Sequence, residues 1–256
     1  MRNWRPYIAD VVKQMRADGV EAAAVICLAP QNSRTSVGLY RRAAMAEAAG
    51  MRLDFLEGWA DEPLLAEAFA ERLRVTHQRL FNEIGYRAPV IFTAHSVPLR
   101  TIQTAAAQPE AANGQTEGRP IHWPASNLAA AAGPDPYADE AQLTARLVAE
   151  LVPEIPNWRF AFQSQGASGG PWIGPTVEAT LDGLAAEGVK AVVLQPIGFL
   201  CDHVEILYDV DIAFRGHAAK LGMRLERPES LNGSPILTHA LAKLSRQGLA
   251  RLKSLS

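Results

Sequence analysis

The sequence lacks the features that mark secreted, membrane-spanning and nucleic-acid-binding proteins. Cys27 and Cys201 are its only cysteines, too few for a disulfide framework or a four-cysteine cluster. Its 25 Lys and Arg residues are matched by 27 Asp and Glu residues, so it has no strongly basic balance for neutralising phosphates. No apolar run approaches the ~18 residues of a membrane helix, and MRNWRPYIAD at the start lacks the apolar region of a signal peptide. We therefore expect a cytoplasmic protein without a nucleic-acid partner or a membrane span.

What the sequence does contain is a regular alternation of strand and helix patterns. Apolar runs such as VEAAAVICLAP and VKAVVLQPIGF are separated by amphipathic stretches with helical spacing. Strands that are apolar throughout are typical of parallel sheets covered by helices on both faces. The pattern predicts a doubly wound α/β fold. One segment interrupts it: residues 100–136 are rich in Ala, Pro, Gly, Asn and Gln without a sustained period, which predicts a long flexible loop.

Chemically active side chains follow two of the predicted strands. In open α/β sheets, ligands bind beyond the carboxyl ends of the strands. His95 closes one strand, and Asp202, His203, Glu205 and Asp209 open the helix after another. A helical wheel places Glu205 and Asp209, four residues apart, on the side opposite the apolar stripe. That predicted stripe consists of Leu207, Val210, Phe214 and Leu221.

Two interpretations of this cluster stay open at the level of residues alone. Acidic side chains in a first helical turn complement the helix dipole, with Asp202 as an N-cap, and His95 then has a structural role. Alternatively, a neutral imidazole facing carboxylates offers a base together with ligands suited to Fe(II) or a similar first-row ion.

A competing motif indicates another class of enzyme. Residues 166–170, GASGG, fit G-x-S-x-G directly after a strand, with Ser168 as nucleophile and Asp209 and His239 following in the chain order of α/β-hydrolases. The motif requires a helix that starts at the serine, whereas the proline-containing stretch up to Pro175 delays the helix, and no HGGG-type segment precedes it. A hydrolase is therefore the remote alternative.

Taken together, four segments resemble the ferrochelatases, enzymes that insert Fe(II) into a porphyrin. These are TAHSVP, QSQGASGGPWIGP, GFLCDHVEILYDVD and RPESLNGSPILTHAL, which occur in the family's order. LAPQNSRTSVGLYRRA is more similar to the coproporphyrin-type members than to the protoporphyrin type. The resemblance implies a chelatase-like fold of two Rossmann-like domains and insertion of iron into coproporphyrin III rather than protoporphyrin IX. Iron and porphyrin are then both substrates, and no organic cofactor is implied.

By position, the family's metal-facing pair falls on His95 and Glu205. The resemblance implies that one of them accepts a pyrrole proton and the other ligates iron, without deciding which does which. Asp209 matches an acidic position on the helix that leads metal or protons toward the site, so the implied metal-facing set is His95, Glu205 and Asp209. The next position along that face in some members is Ala213 here, which predicts a relay that is shortened or absent.

Three further residues match positions that contact the porphyrin in the family. Ser36 and Tyr40 match residues that hydrogen-bond a substrate propionate in coproporphyrin-type members, and Trp172 matches a tryptophan that lines the pocket. Each has a local alternative: Ser36 as a helix cap, Tyr40 and Trp172 as packing residues.

The resemblance also predicts the domain organisation. Residues 1–87 correspond to the remainder of the N-terminal domain, residues 88–234 to the C-terminal domain and residues 235–256 to a C-terminal helix. Family members begin with a strand and a loop-helix region before the counterpart of Arg5, so the first domain is expected to be incomplete. A non-catalytic or truncated tetrapyrrole-binding homologue is therefore the second hypothesis. The sequence carries no signal for the oligomeric state.

Overall fold

The structure is a computed structural model that describes residues 4–102, 134–165 and 171–254. Its strands are β1 Ala22–Ile26, β2 Arg52–Leu56, β3 Val90–His95, β4 Trp158–Gln163, β5 Ala191–Pro196 and β6 Arg224–Glu226. Its α-helices are α1 Ile8–Ala17, α2 Val37–Ala46, α3 Pro63–Ile84, α4 Leu99–Ile102, α5 Tyr137–Glu150, α6 Val177–Ala186, α7 Arg215–Lys220 and α8 Pro235–Ser254, and a π-helix spans Ile206–Phe214.

All strand pairs in the described residues are parallel. β1 pairs with β2, and a second sheet has the strand order β4-β3-β5-β6. β3 and β5 are the inner strands of that sheet and are buried along almost their whole length. This explains why their sequences are apolar without alternation, since helices cover both faces. The predicted α/β class is confirmed.

Two cores lie on the two faces of the larger sheet. One contains Val90 and Phe92 of β3 and is covered by α3, α5 and α8. The other contains Ile91 and is covered by α6, the π-helix and α7. Successive residues of β3 therefore face different cores, as the pleat of a strand requires. This burial fixes the position of the strand end that carries His95.

Helix α8 packs against β1, β2 and α3. Gly248 permits the close approach, because a Cβ there would lie 2.8 Å from both the Cβ of Ala24 and Oδ2 of Asp54. Arg251, one turn later, donates to both carboxylate oxygens of Asp54 at 2.9 and 2.8 Å. The small sheet is thereby joined to the helix layer of the larger one.

The predicted apolar stripe after β5 is wrong at Leu207, which is 45% exposed. The buried residues are instead spaced four apart: Ile206, Val210, Phe214 and Ala218. The reason is the π-helix, whose i→i+5 hydrogen bonds place more residues in each turn than the α-helical wheel assumes. π-Helical segments that continue into an α-helix, as this one does into α7, are frequent at functional sites.

The prediction of a loop over residues 100–136 is wrong at its first end, because Leu99–Ile102 forms a short helix. Residues 103–133 lie outside the described residues. Among the helices that the structure describes, none is long and apolar enough to cross a membrane.

Candidate active site

His95 and Glu205 contact each other at the carboxyl edge of the larger sheet. His95 ends β3, which pairs with β4 on one side and β5 on the other, so it lies in the middle of that edge. Glu205 directly precedes the π-helix that follows β5. Its Oε1 lies 3.4 Å from Nε2 of His95. Both side chains are about one-third exposed, which leaves them accessible to a ligand.

The backbone around His95 orients its ring. Nδ1 lies 2.5 Å from the carbonyl oxygen of Ser96, so we assign the Nδ1–H tautomer, which donates to that oxygen. Ser96 is fully buried and donates from its hydroxyl to the carbonyl of Ile173 at 2.8 Å, which fixes this acceptor. The tautomer leaves the lone pair of Nε2 facing the Glu205 carboxylate. Two electron-pair donors that converge at 3.4 Å suit a shared proton or a metal ion.

Asp209 lies beside the same strand edge, one turn beyond Glu205. It accepts a hydrogen bond from the hydroxyl of Ser164, the residue after β4. Ser164 has a positive φ of 62°, a backbone conformation that is uncommon for a non-glycine residue and that occurs at functional sites. Gln163, paired in register with His95, is 1% exposed, and its Oε1 has no hydrogen-bond partner within the described part of the chain. Polar groups therefore continue from the His95–Glu205 pair toward Asp209.

His203 belongs to the polar cluster named from the sequence, but no role in the site was predicted for it. Its Nδ1 accepts from the backbone N–H of Glu205 at 3.3 Å and lies 3.7 Å from the Glu205 carboxylate. The ring stacks on Phe199 with 5.2 Å between centroids. The sequence signal that could have indicated this contact is that His203 stands two residues before Glu205, at the start of the helix. The described ranges contain no group of three or more His, Cys, Asp and Glu side chains that could hold a metal ion.

Asp202 is not the N-cap that the dipole interpretation requires. It lies before the helix and exchanges hydrogen bonds with Asn232: its N–H donates to Oδ1 at 2.9 Å, and Nδ2 donates to its carboxylate at 3.0 Å. The hydrogen bond from Asn232, followed by one from Ser230, holds the pKa of Asp202 below its usual value. The acidic start of this helix therefore ties the π-helix to a neighbouring loop.

Ser36 and Tyr40 line a largely apolar cavity of about 400 Å³ beyond the end of β1. The other lining residues are Ile8, Val25, Ile26, Cys27, Leu28, Ala29, Ala44 and Phe55. Ser36 occupies the N-cap position of α2, but its side chain makes no capping hydrogen bond. Ser36 is therefore the N-cap residue by position, but its hydroxyl does not cap the helix.

Trp172 lies next to the segment that follows His95. It forms an antiparallel bridge with Pro98, three residues after His95. Ile173 continues this contact by donating its N–H to the carbonyl of Val97 at 3.0 Å. Trp172 is partly exposed, so its indole is accessible beside the strand end.

Three polar residues at the start of α5 join the site and were not predicted from the sequence. Asp135, Tyr137 and Glu140 hydrogen-bond to backbone groups of the loop after β1 and of His95, segments far away in the chain. The available signal was local only, because Asp135 precedes the helix and accepts from the N–H of Tyr137 at 3.0 Å. Burial raises the pKa of the Tyr137 hydroxyl, which keeps it a hydrogen-bond donor.

Glu140 gives a prediction for the pH dependence of stability. Burial raises its pKa from 4.5 to about 7, and the N–H of Asn32 opposes this, while Asp61, Asp135 and Asp139 add to it. Because the folded pKa exceeds the unfolded one, the stabilisation is complete below about pH 4.5 and is lost as the pH rises through about 7. We expect Glu140→Gln to remove this loss. The free energy of unfolding of the variant, relative to that of the wild type, should therefore rise by roughly 1–2 kcal/mol when the pH is raised from about 5 to about 8.5.

Urea unfolding at both pH values measures this difference. Glu150→Gln, at the exposed end of the same helix, is the matched control and should follow the wild type. A free-energy difference between Glu140→Gln and the wild type that is equal at both pH values contradicts the prediction.

The fold and the strand-edge site define a chelatase-like α/β protein. SirB from Bacillus subtilis, solved with Fe3+, superposes with a TM-score of 0.60 at 12% sequence identity, covering 98% of this chain and 81% of that one. The family model described as Ferrochelatase matches residues 1–249. The chain therefore belongs to the ferrochelatase family.

Individual relatives agree with this assignment. The chain is 59% identical over 255 residues to a protein named ferrochelatase from Acidobacterium capsulatum, covering 99% of this chain and 74% of that protein. It is 34% identical over 254 residues to the coproporphyrin III ferrochelatase of Nocardia farcinica, covering 97% and 66%. These comparisons give no support to the hydrolase alternative, whose nucleophile Ser168 lies outside the described residues. Asp209, its partner acid, accepts from Ser164 instead.

Proposed function

We propose that the protein inserts Fe(II) into a porphyrin, with coproporphyrin III favoured over protoporphyrin IX. The observation that carries this proposal is the contact between His95 and Glu205 at the centre of the carboxyl edge, in a member of the ferrochelatase family. Metalation requires the removal of two pyrrole protons and the exchange of water ligands on iron for ring nitrogens. A base and a carboxylate that face the ring from one side meet both requirements.

In this mechanism each polar residue of the edge has a role. Nε2 of His95 faces the macrocycle and accepts a pyrrole proton or ligates the incoming iron, and Glu205 supplies the other function. Asp209, held by the Ser164 hydroxyl, receives the proton or passes on the ion from the solvent side. Iron and porphyrin are substrates in this scheme, and no organic cofactor takes part.

The preference for coproporphyrin is supported by the cavity beyond β1. Coproporphyrin is a tetracarboxylate and protoporphyrin a dicarboxylate, so hydrogen-bond donors placed near the ring edge distinguish them. Ser36 and Tyr40 place hydroxyl groups on an otherwise mainly apolar wall, and the Ser36 hydroxyl is not used as a helix cap. Trp172 supplies a flat surface for the macrocycle.

The division into domains near residue 87 and the cytoplasmic location stay predictions.

The test is anaerobic Fe(II) insertion into each porphyrin, followed by the loss of porphyrin fluorescence. We expect kcat/KM to be higher for coproporphyrin III, and Ser36→Ala combined with Tyr40→Phe to lower this preference about tenfold through loss of hydrogen bonds to a carboxylate. Ser245→Ala, in helix α8, is a control on the opposite layer.

Three outcomes separate the possibilities. A higher rate with protoporphyrin IX overturns the substrate preference but not the metalation. Tight binding of either porphyrin without metalation identifies a tetrapyrrole-binding homologue instead. An unchanged preference in the double variant removes Ser36 and Tyr40 from substrate recognition.

A further inference from the structure

The start of α5 binds two backbone segments that belong to different sheets. The hydroxyl of Tyr137 donates to the carbonyl oxygen of His95 at 2.9 Å, at the end of β3. Two residues earlier, Oδ2 of Asp135 accepts from the N–H of Arg34 at 2.9 Å, in the loop after β1. Asp135 is 5% exposed, so water competes little for this bond.

The next turns of α5 extend this contact with the loop after β1. Oε2 of Glu140 accepts from the N–H of Asn32 at 2.6 Å. The hydroxyl of Thr144 accepts from Nε2 of Gln31 at 3.1 Å, and both of these residues are buried. One face of a single helix therefore holds residues 31–34 along its side while its first residue holds His95.

These contacts matter because of what each segment carries. The loop at residues 31–34 leads directly to Ser36 and Tyr40, the proposed carboxylate contacts. The end of β3 carries His95, the proposed metal-facing residue. A porphyrin has a fixed distance between its carboxylates and its central nitrogens, and misplacement by about 1 Å can cost about a hundredfold in rate. The two segments must therefore be held at a set separation.

We propose that the N-terminal turns of α5 position the carboxylate-binding loop relative to His95, with Asp135 and Tyr137 as positioning residues. This inference rests on the proposed function. Neither residue reacts: Asp135 fixes the loop through the N–H of Arg34, and Tyr137 fixes the strand end through the carbonyl of His95. The carbonyl that Tyr137 holds adjoins the Ser96 carbonyl that orients the imidazole.

The two contacts predict different kinetic effects. Tyr137→Phe removes only the hydroxyl, so we expect kcat for metalation to fall about tenfold, with KM and Kd for coproporphyrin III changed less than about twofold. Asp135→Asn replaces one of two acceptor oxygens, so we expect the Kd for coproporphyrin III to rise about tenfold with a smaller change in kcat. Tyr86→Phe, on an exposed tyrosine, is the matched control and should match the wild type.

The experiment measures two quantities for each variant: Kd from fluorescence titration without metal, and kcat and KM from anaerobic Fe(II) insertion. Equal losses of kcat and affinity in both variants, or no loss in either, overturn the positioning role. Should Asp135→Asn not fold, Glu140→Ala tests the same loop and should raise Kd with kcat preserved. A wild type that binds the porphyrin but does not turn over refutes the proposed function, whereas the Kd arm still decides whether α5 positions the loop.

Discussion

Replacing His95 with alanine is expected to lower the rate of Fe(II) insertion at least about a thousandfold. The imidazole lies at the end of β3 and contacts Glu205 through Nε2, and positioned acid–base groups contribute typically 10²–10⁴-fold. Its removal also leaves the Glu205 carboxylate without the partner that holds a proton or an ion with it. The measurement is anaerobic metalation of coproporphyrin III, with porphyrin affinity determined separately.

The control for this variant is His217→Ala. His217 forms a similar pair with a carboxylate, Nε2 to Oδ1 of Asp182 at 2.8 Å, but on the outer surface of α6 and α7. The His217→Ala variant should insert Fe(II) into coproporphyrin III at the wild-type rate. We expect Glu205→Gln to lose activity as well, and the free energy of unfolding of His95→Ala to stay within about 1 kcal/mol because the side chain is partly exposed. A His95→Ala enzyme within tenfold of the wild type would falsify the assignment of the base.

The second large effect is expected on stability, at the ion pair that anchors the π-helix. Arg227 donates to both carboxylate oxygens of Asp211, from Nε at 2.9 Å and from Nη2 at 2.8 Å. The Arg227 side chain is only 12% exposed, and its Nη1 also donates to Ser230 Oγ at 3.3 Å. The hydrogen bonds that Arg227 donates to Asp211 raise the pKa of Arg227, so its guanidinium keeps its charge.

Arg227→Gln is expected to lower the free energy of unfolding by about 2–4 kcal/mol, because it leaves a partly buried carboxylate without its bidentate partner. Urea unfolding measures this loss. Arg159→Gln is the control: Arg159 forms an exposed pair with Glu187 at 3.4 Å and should change stability by less than about 1 kcal/mol.

Two results decide how this pair acts. Equal losses for Arg227→Gln and Arg159→Gln contradict the prediction. Replacing both partners, as Arg227→Met with Asp211→Leu, should restore much of the stability, because the side chains that lose an ion pair, Arg215 and Asp202, are about half exposed to water. Metalation by Arg227→Gln should fall as well, because the π-helix carries Asp209 and follows Glu205.

Local patterns accounted for most of the elements. The strand at β5 and the helix at α3 were both predictable, since apolar runs and helical periodicity depend on near neighbours in the chain. The π-helix was not, and the α-helical wheel misplaced Leu207 as a result. The N-cap interpretation of Asp202 failed for a related reason: residue type favours a cap, but its carboxylate accepts from Asn232, a residue far away in the chain. Ser36 does occupy the N-cap position, but its hydroxyl makes no capping hydrogen bond.

By itself, the sequence determined the alternation of parallel strands and helices, the family, and the residue types placed after the strands. Only the tertiary structure decided which of these groups meet. Tyr137 and His95 are 42 residues apart in the chain, and Arg34 and Asp135 are 101 apart, yet each pair is hydrogen-bonded. No local periodicity encodes such contacts. They arise because burying both faces of the sheet packs α5 between two strand ends, where the buried polar groups of the backbone require partners.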